Sequence, residues 1–303
     1  MKEAKQLAHI DVHDQISANR RNSFLLMLIV PAVIVLLIYT IGMVYNPGAI
    51  FTFLIIGTIF SVIFTIGSYY WSDKIVLATT GARPATKQEN AFLINTVEGL
   101  AIAAGIPAPR IYVLDSPDIN AFATGRDPQH GIIVVTTGIM QRLNRQETEG
   151  VIAHEMSHIT NFDIRFATLI AVLVGIVSII SQMFLRSMWL GGGSRDRENR
   201  GGGIFIIIGI LLAILAPIFT QLIQLAISRQ REYLADANGA YLTRYPEGLA
   251  SALEKISKSA TTIKPAGAVS HLFCPNPIKN LNAESIFSTH PPIEERINRL
   301  RAM

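Results

Sequence analysis

Four uncharged apolar runs limit what this chain can fold into. They cover residues 24–45, 49–71, 166–185 and 204–227. Each is near or above the roughly 20 residues a helix needs to cross a bilayer. A buried helix of a soluble protein rarely stays apolar on every face for so long. The first two runs are therefore read as transmembrane helices. The last two are read as a second spanning pair, with a hairpin lying against lipid or protein as the alternative. Composition agrees, since half of the 303 residues are hydrophobic and only 16% are charged, against about a quarter in soluble domains. The first run starts too late and is too long for a cleavable leader. Pro31 and Pro217 are read as kinks that membrane helices tolerate. The net charge of +4 is small, and no basic stripe interleaved with aromatics suggests nucleic acid. A single cysteine, Cys274, excludes an internal disulfide.

Lysine and arginine near the helix ends set the expected orientation. Lys2, Lys5, Arg20 and Arg21 precede the first run, and the link at Asn46 and Pro47 has no positive charge. The N-terminus is therefore expected in the cytoplasm. Lys74, Arg83 and Lys87 follow the second run on the same side. The glycine-rich link between the third and fourth runs carries Arg195, Arg197 and Arg200, which runs against the rule.

The expected division is 1–71 for the tail and first two spans, and 72–165 for the first part of a catalytic domain. Residues 166–227 form the hairpin, and 228–303 the second part of that domain. Within 72–165 the pattern predicts a loop at the start and a helix over 89–104 stopped at Gly105. Strands are expected over 110–114 and 131–136, and a helix runs from Arg145 to the neighbourhood of Asn161. Helices are expected over 229–243, 247–259 and after Pro292.

Residues 154–158 read His-Glu-Met-Ser-His. Helix positions four apart share a face, so His154 and His158 can grip one metal ion. Glu155 lies beside them and can reach a water without taking a ligand position. The flanking Val151, Ile152, Ala153 and Ile159 are apolar, and burying two imidazoles and a carboxylate without partners is costly. A metal supplies the partner. A catalytic zinc takes three protein ligands and keeps one position open. Glu232, in RQREYLAD, is the best candidate for the third. Asp236, one turn on, can accept the remaining N–H of a ligating imidazole. Spacing alone leaves Glu232 and Asp236 equally readable as a solvated face beside Arg229 and Arg231. Topology favours the ligand, because a hairpin returns the chain to the side it left.

HEMSHITNFD, a hydrophobic hairpin, REYLADANGA and THPPIEERI together resemble the HtpX-type membrane zinc metallopeptidases, relatives of the endopeptidases that trim prenylated CAAX proteins. The resemblance covers nearly the whole chain. It implies an integral membrane, mainly α-helical protein. Four transmembrane helices would carry an α+β zincin-like (gluzincin) catalytic domain at the cytoplasmic face of a bacterial or archaeal inner membrane. It further implies one catalytic Zn2+ on His154, His158 and Glu232, with Glu155 as base. The implied activity is cleavage of damaged or misassembled membrane proteins in quality control and stress response. His290 is a candidate oxyanion donor or additional zinc-site residue, with an ordinary turn histidine as the alternative. Asn120, Ala121 and Phe122 are candidates for an edge strand that pairs with extended substrate. Asn161 and Asp163 are read as satisfying backbone or ligand-supporting groups. Arg296 is read either as a partner of a carboxylate at the site or as a solvated charge.

Rival readings are a CAAX-type prenyl-protein endopeptidase, an intramembrane protease, a transporter and a non-catalytic metal scaffold. Arg142, Asn144, Arg145, Glu147 and Glu149 precede the motif too closely for that helix to span a bilayer. The four runs hold no ionisable residue, which disfavours a transporter. Expected partners are protein substrates and the lipid bilayer. The sequence does not give the oligomeric state.

Overall fold

A computed structural model describes residues 47–167, 229–259 and 291–303, with scattered positions between 17 and 39. The third run beyond residue 167, the whole fourth run, Cys274 and His290 lie outside the described residues. Of the first run, Pro31 and several neighbours are helical, and Ile38 packs against Gly57 of the second.

The second run forms helix α1, Ile50–Thr80. Its segment Ile50–Gly67 is, among the described residues, the one helix long and apolar enough to cross a membrane, and 17% of it is buried. Phe51, Ile55 and Ile63 stand exposed along it. The helix does not stop at Trp71, where a loop was expected. It continues to Thr80 because Val76 and Leu77 pack on the outer face of a β-sheet, against Phe122, Ile132 and Val134. Gly81 ends it in the left-handed conformation (φ +71°), its N–H returning to the Leu77 carbonyl. A residue with a Cβ adopts that conformation at a cost.

Strand β1, Arg83–Pro84, leads to helix α2, Lys87–Ala104. Strands β2 (Arg110–Leu114), β3 (Ala121–Thr124) and β4 (Ile132–Thr136) follow. The sheet order is β1-β2-β4-β3, with β2 parallel to β4 and both outer pairings antiparallel. The two inner strands match the expected ones. Strand β4 reads IIVVT and is buried throughout, as expected for a strand covered on both faces. Its side chains alternate: Ile133 and Val135 join the main core, while Ile132 and Val134 face α1.

Short helix α3, Thr137–Arg142, precedes α4, Arg145–Thr160. Asn144 starts α4 with a capping box. Its side chain accepts from the Glu147 N–H at 2.9 Å, and the Glu147 carboxylate accepts from the Asn144 N–H at 2.7 Å. Around α4 lie α5 (Arg229–Thr243), α6 (Pro246–Lys258) and α7 (Ile293–Arg301). Lys255 of α6 reaches the α4 cap, its Nζ lying 2.7 Å from the Glu147 carboxylate. Ile152, Met156 and Ile159 of α4 are fully buried, each contributing about 1.5–3 kcal/mol. Arg301 ties α7 to α6 through Glu247 and Glu254, at 2.9 and 2.7 Å.

Candidate metal centre

Helix α4 carries His154 and His158 on the face that α5 covers. The two Nε2 atoms stand 3.3 Å apart. Glu232, in the first turn of α5, brings Oε1 to 3.5 Å from His158 Nε2 and Oε2 to 3.7 Å from His154 Nε2. Ligands about 2.0–2.2 Å from a tetrahedral ion stand roughly 3.3–3.6 Å from one another. The spacing therefore fits a single ion held by these three side chains, and they form a possible metal-holding group. Glu232 and Asp236 are buried, at 6% and 2% exposure. That excludes the solvated-face reading of the pair.

The outward nitrogens explain why both imidazoles turn Nε2 inward. His158 Nδ1 hydrogen-bonds to Asp163 Oδ2 at 3.0 Å. His154 Nδ1 faces Asp236 Oδ1 at 3.0 Å, off the ideal hydrogen-bond line. A carboxylate at Nδ1 favours the tautomer whose Nε2 lone pair is free. Two such lone pairs aimed at one point call for a cation. Burial alone would lower the His158 pKa, but the bond to Asp163 and the charges of Glu232, Asp163 and Glu155 raise it to about 9.

Arg296 of α7 is buried, so its reading as a solvated charge is overturned. Its Nε and Nη2 donate to Asp236 Oδ2 and Oδ1 at 2.8 and 2.7 Å. This is the two-pronged pairing that guanidinium makes best. Its Nη1 lies 3.4 Å from Glu232 Oε2. Burial would raise the Asp236 pKa, yet the Arg296 charge and the contacts with His154 and Arg296 hold it below the usual carboxylate range. Arg231 lies over the Phe166 ring at 4.9 Å, with its Nε 3.6 Å from Asp163.

Glu155 sits beside the cluster. Burial raises its pKa, and the charge of Glu232 adds to this. The charges of His154 and His158 and a hydrogen bond from the Ala123 backbone N–H oppose the rise. That bond links α4 to β3. Asn120 is tied to β4 through Thr136, and Phe122 points its ring toward α1, away from the cluster. Ala121 and Ala123 face the main core.

The close fit of α5 on α4 depends on Gly239. A Cβ there would lie 3.1 Å from His154 N and 3.3 Å from His154 Cα. Glu232, Asp236 and Gly239 recur at helical spacing along the face of α5 that is pressed to α4.

Sequence reasoning did not find the Ala123–Glu155 bond, and it did not single out Asp163 as the partner of His158. Phe162 has φ +60°, a left-handed turn that is rare for a bulky residue and that turns the chain back toward His158. No local sequence signal announces that turn.

A helix presenting two histidines one turn apart with a glutamate beside the first, joined by a buried glutamate from a second helix, defines a metal-dependent peptidase. Residues 87–303 match the family described as Peptidase family M48, and the chain belongs to it. It is 47% identical to a Protease HtpX homolog of Dictyoglomus thermophilum, covering 96% of this chain and 94% of that one. It is 46% identical to a Protease HtpX homolog of Caldanaerobacter subterraneus, covering 94% and 95%. With the Protease HtpX homolog of Streptococcus uberis it shares 42% identity, covering 96% and 100%. Among solved structures it is similar to S. mikatae Ste24p, at 21% identity and TM-score 0.49, over 88% of this chain and 61% of that one. The expected HtpX-type resemblance and metalloprotease activity are thus borne out.

Proposed function

We propose that this metalloprotease is a multi-pass zinc endopeptidase in which His154, His158 and Glu232 hold one zinc ion. Glu155 is the general base. The observation that carries this reading is the convergence of the three ligand groups, with spacings of 3.3, 3.5 and 3.7 Å. Two imidazoles and one carboxylate are a donor set of catalytic zinc, which keeps a fourth position open. A zinc ion held there supplies Lewis acidity to the scissile carbonyl and to a water. Glu155 accepts the proton of the attacking water and passes it to the leaving amine. A pKa raised toward the working pH suits a group that must both take and return a proton. Asp236 and Asp163 orient the imidazoles, and Arg296 holds Asp236 in place.

The backbone of Asn120, Ala121 and Phe122 receives extended substrate by strand addition. The terminal position of β3 in the sheet and its bond to Glu155 support this. His290 donates to the developing oxyanion or completes the zinc site. Substrates are damaged or misassembled membrane proteins, in keeping with the HtpX name of the relatives. The exposed apolar side chains of α1 support a membrane span. The lysines and arginines flanking the first two runs support a cytoplasmic catalytic domain at the inner membrane. The division at 1–71, 72–165, 166–227 and 228–303 follows this arrangement.

The test is zinc analysis and casein cleavage by the purified full-length chain, with and without a chelator. Zinc at one equivalent and chelator-sensitive cleavage are expected. Glu155→Gln should keep the zinc and lose cleavage, and undiminished cleavage by that variant would refute the assignment of the base.

A further inference from the structure

A cavity of about 730 Å³ lies between α1 and the loop after β3, apart from the metal centre. Its α1 wall changes character along one helical stripe. Ile63, Ile66 and Gly67 line the apolar end, Tyr70 and Trp71 follow, and Lys74 closes the stripe. The opposite wall supplies Arg110, Arg126 and His130. Two carboxylates temper these cations. Asp73 takes Arg110 at 2.6 Å, and Asp127 takes His130 at 2.6 Å and Arg126 at 3.4 Å. Arg126 also stacks on Tyr70, 5.1 Å from the ring centre. Lys74 is exposed and has no ion-pair partner among the described residues. His130 apart, the three cations Lys74, Arg110 and Arg126 face the two anions Asp73 and Asp127, leaving a surplus of one positive charge.

The depth of the cavity identifies its occupant. Gly67 lies at the end of an 18-residue stretch of α1 that is apolar enough to cross a membrane. Lys74 lies two turns further, roughly 10 Å along the axis. That distance spans the interfacial layer in which tyrosine and tryptophan collect and into which lysine reaches. Apolar, aromatic and cationic groups thus follow the order of an acyl chain, a glycerol backbone and a phosphate. We infer that this cavity binds the headgroup and upper acyl chain of an anionic phospholipid, with Lys74 and Arg126 on the phosphate. The inference rests on the reading of α1 as a membrane span.

The experiment uses the full-length protein in nanodiscs of phosphatidylcholine alone or mixed equally with phosphatidylglycerol, followed by native mass spectrometry of retained lipid. Preferential retention of phosphatidylglycerol is expected. Lys74→Gln should reduce it about fivefold, the effect of one cation near an anionic surface. Lys74→Gln/Arg126→Gln should reduce it further. Because Lys74 is exposed, the single variant leaves the fold intact. Lys87→Gln, which removes the same charge from α2 outside the cavity, should retain lipid as the parent does. Equal loss with Lys87→Gln, or no loss with Lys74→Gln, would overturn the site. Displacement of the lipid by inorganic phosphate would also overturn it, since the cavity would then be a phosphate site. Failure to enter nanodiscs at all would overturn the membrane reading and the lipid site with it. Insertion without lipid preference would overturn the lipid site alone.

Discussion

Replacing Gly239 with alanine tests whether close helix packing sets the metal centre. The added Cβ would meet His154 N at 3.1 Å, His154 Cα at 3.3 Å and Ala153 C at 3.4 Å. All three are backbone atoms of α4 and cannot rotate aside. Ordinary contact needs up to about 4 Å, so α5 must move away by a few tenths of an ångström. Ligand distances at a metal tolerate only about 0.2 Å. Two opposing effects act on stability. Alanine gains about 1 kcal/mol over glycine within a helix, while overpacking costs about 1–3 kcal/mol. The net change is small, from none to about 2 kcal/mol lost. The metal site has no such offset, because Glu232 moves with α5. Zinc affinity should fall about 10–100-fold, as when a supporting contact of a ligand is lost. A competition titration against a chromophoric chelator measures the affinity, and thermal unfolding in detergent measures stability. Asn238→Ala, on the less buried side of α5, serves as control. Unchanged zinc affinity in Gly239→Ala would show that contact between α4 and α5 at Gly239 does not position Glu232.

Two further outcomes are expected. Asp163→Asn should weaken zinc binding about 10–100-fold by releasing the His158 ring. It should also change the pH profile: ligation needs neutral imidazole, so with a His158 pKa near 9 affinity falls as pH falls below that value. Removing Asp163 lowers this pKa, and the onset of the fall should move to lower pH in titrations across the range. Asn144→Ala should cost about 1 kcal/mol through loss of the capping box. That loss should appear as a lower thermal midpoint with unaltered zinc affinity.

The parts of the fold visible in the sequence are those governed by local rules. RIYVL and IIVVT are β-branched runs between turn residues, and they form β2 and β4. A helix was expected from Arg145, and α4 begins there. Glu232 was legible through the expectation of a hairpin over residues 166–227, which would return the chain to the side of His158. What escaped depends on distant contacts. Whether α1 ends at Trp71 or at Thr80 is decided by Val76 meeting the sheet. Arg296 looks like any surface arginine until α7 buries it on Asp236. The Ala123 N–H that reaches Glu155 belongs to the backbone, and no side-chain letter marks it.

The length of α1 has a mechanical consequence. One helix of 31 residues runs without a break from the apolar segment to the sheet whose last strand bonds Glu155. No hinge lies between Gly67 and Val76, so the apolar segment proposed as a membrane span and the sheet form one rigid post. The post fixes the standoff of the cutting site, which cannot lean out after distant polypeptide. Under the proposed reading of membrane-protein substrates, access is then decided by reach: a bond is exposed to hydrolysis when its own chain projects from the membrane far enough, and loosely enough, to meet a blade held at constant height.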